Sequence, residues 1–179
     1  MPIDAARVQI RPWRLGDADA LHRLVQASHA ALSPWLAWCH PHYGVEDAQA
    51  WVEYSLTSWA DRSAFPFAVI DGDAETLLGG AGLNRLDIEH RSANLGYWVG
   101  APFVGLGIAT AAATQAVRFG FDELNLQRIE IRVLPNNHAS LNVVRKLGAS
   151  YEGILRGGIQ HHNEPRDAML HALTADDIT

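Results

Sequence analysis

The sequence contains a single cysteine, Cys39. No disulfide can therefore form within the chain, and that usage fits a reducing compartment. No apolar run approaches the ~20 residues that a membrane-crossing helix needs. The opening segment, residues 1–10, is too polar for a secretory leader, so the expected location is the cytoplasm, with no membrane partner. Basic residues are also short: 14 Lys and Arg stand against 20 Asp and Glu, a net charge of −6. Nucleic-acid binding draws on a concentrated basic face, so nucleic acid is not expected as a partner. The acidic balance suits a basic peptide or an amine. There is no internal repeat, low-complexity run or linker. A chain of 179 residues can bury one real core, and residues 1–179 are expected to form one domain.

Nine histidines are present, but they are not arranged as metal ligands. The tightest pairs, His161-His162 and His40-x-His42, lack further cysteines or carboxylates at ligand spacing. They read as structural or solvated, and no metal is expected. His138 reads as a surface residue at a helix start. Glu89, His90 and Arg91 read as a solvated hairpin tip.

Periodicity supplies the elements. Residues 8–13 alternate as a short strand. Asp17 offers a helix N-cap, followed at helical spacing by Leu21, Leu24, Val25, Ser28 and Leu32. Pro34 and Pro41 interrupt the chain. A helix over 46–61 presents Ala48, Trp51, Val52, Ser55, Leu56 and Trp59 on one face. Strands are expected over 65–70 and 77–86, joined by a tight turn at Asp71-Gly72-Asp73. Gly79, Gly80 and Gly82 permit a bulge or a close approach. Further strands fall over 93–99, 128–133, 150–155 and 166–172, with helices over 105–121 and 137–147, the latter ended by Gly148. The order βααβββαβαββ implies a mixed α/β (α+β) sheet with helices on both faces. Of six tryptophans, Trp51, Trp59 and Trp98 fit core positions. Trp35 and Trp38, in a proline-bounded loop, either wall an acceptor pocket or cover an edge of the core.

The segment from Gly96 to Thr110 carries the chemistry. A strand enters a glycine turn, and the turn opens a helix. The first N–H groups of a helix lack intrahelical partners and lie at the positive end of its dipole, where phosphates bind. Gly105 and Gly107 remove the Cβ atoms that would keep a diphosphate away. Ala109 is about as large as such a turn accepts, and Thr110 adds a hydroxyl. A plain helix start with glycines for tight packing is the competing account of the same spacing. Neither a Walker A lysine nor a dinucleotide fingerprint is present.

About 30 residues later stands Asn137-His138-Ala139-Ser140-Leu141-Asn142-Val143-Val144-Arg145-Lys146-Leu147-Gly148. The two segments together resemble the GNAT superfamily of N-acyltransferases, in its RimJ/RimL-type branch. Val104-Gly105-Leu106-Gly107-Ile108-Ala109 matches that branch's pyrophosphate motif. Asn137, Ser140, Val143, Lys146 and Gly148 match its second motif. Leu95–Val99 and the tryptophan segment 32–38 are also similar, so the likeness runs from Arg11 to Leu173.

The resemblance implies a GNAT fold, with a mostly antiparallel sheet splayed into a V, and acetyl-CoA as cosubstrate without a metal. It implies that backbone groups of Tyr97, Trp98 and Val99 pair with the pantetheine arm. Residues Val104, Gly105, Leu106, Gly107, Ile108, Ala109 and Thr110 would hold the pyrophosphate. Asn137 would bond the arm from the other side, and Ser140 would meet the sulfur as a proton donor. Two positions depart from the family pattern. Val104 stands where Gln or Arg is usual. Asn94 stands where relatives often carry a carboxylate, leaving Glu152, Glu164 or a water chain to take the proton. The expected activity is acetyl transfer to a primary amine, either a protein N-terminus or a small molecule. The alternative is a non-catalytic CoA sensor or interaction module on the same fold. Edge strands near the carboxyl terminus allow a homodimer.

Overall fold

The computed structural model describes residues 4–178. The elements follow the expected order: β1 (Val8–Pro12), α1 (Ala18–Leu32), α2 (Val45–Asp61), β2 (Phe65–Asp71), β3 (Thr76–Asp87), β4 (Ser92–Val99), α3 (Ile108–Asp122), β5 (Arg128–Val133), α4 (His138–Lys146), β6 (Ser150–His161) and β7 (Glu164–Thr174). Among the described residues seven strands form one sheet in the order β1-β2-β3-β4-β5-β7-β6. Every neighbouring pair is antiparallel except β4 with β5.

β2 shows how the layers arise. All seven of its residues are buried, because the strand is covered on both sides and needs no polar face. Phe65, Phe67 and Val69 enter one core with Leu83, Ala93, Leu95, Ile108, Ala113, Val117, Ile129 and Leu173. Ala68 and Ile70 enter a second core with Leu21, Val25, Leu32, Ala48 and Val52. Helices α3 and α4 close the first, and α1 and α2 close the second. Gln115 on α3 ties that helix to the edge strand: its Oε1 accepts from Ile10 N at 3.2 Å, and its Nε2 donates to Val8 O at 2.8 Å.

Several details differ from the sequence reading. Trp51 and Leu56 lie on the exposed side of α2, at 39% and 36% exposure. The helix packs through the narrower stripe of Ala48, Val52, Ser55 and Ser58, and Trp51 instead rests against Tyr54. Trp59 does reach the core, edge-on to Phe65 and Phe67. Asp17 precedes α1 but its side chain does not cap the helix. Its carboxylate accepts from both Arg11 Nη atoms and from Arg14 N, and a bidentate pair with a charged guanidinium outcompetes a cap in which only the acceptor is charged. β6 and β7 run several residues past the expected bounds. Bulges near Gly153 and Gly157, both at positive φ, break the alternation that would have revealed the full length. The last two strands do not follow chain order in the sheet: β7 lies between β5 and β6.

Gly79 marks a close approach that bears on the site. A Cβ there would collide with the Trp98 carbonyl oxygen and stand 2.9 Å from Val99 Cα, both in the backbone of β4. Neither atom can swing aside. Gly79→Ala is expected to lower stability by about 1–3 kcal/mol, read as a reduced denaturant midpoint at unchanged m value.

Candidate active site

β4 meets β5 through three rungs: Ser92 with Arg128, Ala93 with Ile129 and Asn94 with Glu130. Beyond Asn94 the two strands part. On its other side β4 remains paired with β3 through Val99. Residues 95–99 therefore keep one edge of the backbone without a strand partner, and the gap between the strands is the V. Trp98 lies close over β3: a Cβ on Gly80 would stand 2.6 Å from its indole nitrogen. Trp38, 40% exposed, packs edge-on to Trp98 with ring centroids 5.5 Å apart.

The chain leaves β4 into the glycine turn. Gly100 N donates to Leu78 O at 2.8 Å, and Ala101 N donates to Ser28 Oγ at 2.9 Å. Ser28 is buried on α1, so a residue that periodicity placed in the core anchors the start of the turn. One 3-10 turn, Ala101–Phe103, follows. Gly105 and Gly107 both sit in the left-handed region, at φ 79° and 78°, where an L side chain is strained. Gly107 is the N-cap of α3 and supplies no side-chain cap. The helix's own bonding starts with Ala111 N to Gly107 O at 3.0 Å, so the amides of Ile108, Ala109 and Thr110 have no carbonyl within the helix. A Cβ on Gly105 would meet nothing within 4 Å, whereas one on Gly107 would touch Ala5 Cβ at 3.4 Å. The space over the turn is thus open at Gly105. Val104 and Leu106 flank it, 62% and 46% exposed.

α4 starts across the V. Asn137 is its N-cap and accepts from Ser140 N at 3.1 Å through Oδ1. Ser140, one turn into the helix, faces β4: Tyr97 Oη lies 2.9 Å from Ser140 Oγ and donates to Ser140 O at 3.2 Å. Burial pushes the Tyr97 hydroxyl up to about 12, against the opposing pull of Ser140. The structure therefore gathers Tyr97, Trp98 and Val99, the turn 104–110, Asn137 and Ser140 around one gap.

A family model described as an acetyltransferase (GNAT) domain matches residues 7–150. The chain belongs to the GNAT acetyltransferase family. Among its relatives, the ribosomal-protein uS5-alanine N-acetyltransferase of Escherichia coli strain K12 is 30% identical, over 93% of this chain and 84% of its own. The spermidine N(1)-acetyltransferase of the same organism is 34% identical, over 84% of this chain and 77% of its own. Among solved structures, Mycobacterium smegmatis RimJ in complex with CoA-disulfide superposes with a TM-score of 0.87. It is 29% identical and covers 96% of this chain and 83% of its own. The chain is an N-acetyltransferase of RimJ/RimL type on a GNAT fold, in line with the motifs at 104–109 and 137–148.

Within that GNAT frame the candidate proton acceptors can be placed. Asn94 sits at the fork of the V. Its Nδ2 donates to Asn84 Oδ1 at 3.0 Å, and its buried Oδ1 has no donor among the described residues. Beside it runs a charged ladder of alternate β5 residues that reaches Glu152 on β6; the sequence pattern does not announce it, because the Arg128–Glu152 pair joins residues 24 positions apart. Arg128 bonds Glu152 at 2.8 and 2.5 Å and Glu130 at 3.2 Å, and Arg132 bonds Glu130 at 3.0 Å. The Arg128 guanidinium holds the Glu152 carboxyl below the ordinary range. Glu164 pairs with Arg166 at 3.2 Å on the exposed hairpin.

The β6–β7 hairpin also reaches the loop after α1. His162 Nε2 contacts Ser33 O at 3.0 Å. Burial lowers the His161 pKa first, with His162 adding to it. The hairpin and loop border a cleft of about 600 Å³ lined by Pro34, Leu134, Asn136, His161, Arg166 and Asp167. His40 approaches Asp47 at 3.6 Å, and among the described residues no three metal-ligating side chains cluster. No helix among them is long and apolar enough to cross a membrane.

An anion locked to a guanidinium is a weak proton acceptor. Because the Arg128 guanidinium lowers the Glu152 pKa from the ordinary carboxylate range, Glu152 stays ionised near neutrality and does not shape the rate there. Glu152→Gln is expected to change kcat by less than about twofold and to leave the acid limb of the pH–rate profile in place. A tenfold loss with a displaced acid limb would make Glu152 the base.

Proposed function

We propose that the V and the glycine turn bind acetyl-CoA and that the protein acetylates a primary amine, foremost the N-terminal amine of a protein. The observation that carries this reading is the continuity of the free β4 edge with the open left-handed turn and the uncapped start of α3. Backbone groups of Tyr97, Trp98 and Val99 pair with the pantetheine arm as a strand would. The amides from Gly105 to Thr110 take the pyrophosphate, with Val104 leaving this to the backbone. Asn137 Nδ2, free of the capping bond that Oδ1 makes, donates to the arm. An open Cβ direction at Gly105 and positive φ at both glycines suit a diphosphate lying against the turn.

Ser140 acts as the proton donor. The amine nitrogen attacks the thioester carbonyl, whose oxygen is polarised by a backbone N–H at the β4 edge. The C–S bond breaks, and the thiolate takes the Ser140 hydroxyl proton. The nitrogen loses its proton through water, which returns one to Ser140. No metal takes part.

The uS5-alanine enzyme is a relative over nearly the whole chain, which favours a protein N-terminus. The spermidine enzyme favours a polyamine as the second reading. The net charge suits a basic acceptor in either case and disfavours nucleic acid or membrane partners. We place residues 1–179 in the cytoplasm as one domain. The outer edge of β6, with exposed Tyr151 and Ile154, is where a second copy could extend the sheet.

Two experiments test the assignment. Gly105→Asp and Gly105→Asn both tolerate a left-handed φ, yet only Asp adds a negative charge beside the cradle. Calorimetry should show acetyl-CoA binding about tenfold weaker in Asp than in Asn, a gap that narrows with salt. Equal affinities would remove the pyrophosphate from this turn. Ser140→Ala should lower kcat about 10²-fold with little change in CoA affinity, measured by thiol release against N-terminal peptides and spermidine. The faster acceptor decides between the two substrate readings.

A further inference from the structure

Tyr97 stands in the strand for its backbone, yet its side chain makes the most direct contact with the proposed proton donor. Two oxygens of Ser140 lie within bonding distance of one phenol: Oγ at 2.9 Å and the carbonyl at 3.2 Å. Tyr97 has one hydroxyl hydrogen to donate, so the pair can hold its two protons in two ways. In the first, Tyr97 donates to the Ser140 carbonyl and Ser140 Oγ–H donates to Tyr97 Oη. In the second, Tyr97 donates to Ser140 Oγ, and the Ser140 hydrogen is free to point elsewhere. Both arrangements satisfy the phenol, and they interconvert by rotating two O–H bonds without moving a heavy atom.

We infer that Tyr97 is a positioning residue for acetyl transfer, which holds Ser140 Oγ at rest and turns its own O–H onto that oxygen when Ser140 turns toward the leaving sulfur. The inference rests on the reading of Ser140 as the acid. In the second arrangement the hydrogen bond from Tyr97 makes the Ser140 hydroxyl a better donor, because it stabilises the negative charge that builds on Oγ as its proton departs. The thiolate gains the Ser140 proton, Tyr97 keeps its own, and the proton lost from the amine restores Ser140 through water. Burial supports this role: a phenol whose pKa is pushed up to about 12 stays protonated and able to donate throughout the working range. The fold supports it as well. Asn137 fixes the first turn of α4 through Ser140 N, so the backbone of Ser140 is held from one side and its hydroxyl from the other.

A plain strut between β4 and α4 would use the same contact, and the two roles separate in a double-mutant cycle. The bond from Tyr97 to the carbonyl of residue 140 survives in Ser140→Ala, whereas the bond to Oγ does not. The experiment measures kcat and the acetyl-CoA KM for wild type, Tyr97→Phe, Ser140→Ala and the double variant, with thermal midpoints as a check on folding. Tyr97→Phe should lower kcat about tenfold in the wild-type background, with KM changed by less than about twofold. In the Ser140→Ala background the same change should cost less than about twofold. An equal loss in both backgrounds would make Tyr97 a strut and overturn the inference while leaving Ser140 as the acid. An unchanged kcat in Tyr97→Phe would also overturn it. Full activity in Ser140→Ala would overturn the reading of Ser140 itself.

Discussion

β4 pairs with β5 at Ser92, Ala93 and Asn94 and then leaves it, and the backbone groups released by that parting are what the rest of the site is built around. A strand edge inside a sheet ordinarily spends its N–H and C=O groups on a neighbour. Here residues 95–99 keep one row free while β3 secures the other. The glycines of β3 make this rigid, because the backbone of β4 lies so close at Gly79 that no side chain could intervene. A free edge held this firmly can receive an extended ligand without first reorganising.

The turn that follows extends the same economy of backbone. Ser28 and Leu78 fix its entry, the two left-handed glycines redirect it, and α3 begins with amides that have no carbonyl of their own. Across the gap α4 is capped by Asn137 and bound to β4 through Tyr97 and Ser140. The reactive part of the site therefore uses few ionisable groups. The strongly paired charges, Arg128, Glu130, Arg132 and Glu152, stand at the fork, where they brace β5 against β6. In the proposed reaction, proton removal from the amine falls to solvent.

Much of this was legible in the sequence because it rests on local signals. The element order came from periodicity, and β5 was bounded correctly because Ile129, Ile131 and Val133 alternate without interruption. The glycine turn and the start of α4 could be read from residue types at fixed spacing. What stayed hidden depends on contacts between distant segments. Trp51 and Trp59 share a helical stripe, yet Trp59 is inside and Trp51 outside, because small residues set how closely α2 approaches the sheet. Asp17 looks like a cap until Arg11 is found beside it. The Tyr97–Ser140 bond joins residues 43 positions apart, and nothing in either local pattern announces it. The reach of β6 and β7 was masked by bulges, since a bulge shifts the alternation by which strands are recognised.

The measurement that tests the central claim most directly is amide hydrogen exchange, residue by residue, with and without coenzyme A. The account predicts slowed exchange at the β4 edge, residues 97–99, and at the turn amides from Gly105 to Thr110. Residues of β2, already buried and paired on both sides, should be unchanged. Protection confined to other segments, with 97–99 and 105–110 unaffected at saturating coenzyme, would contradict it.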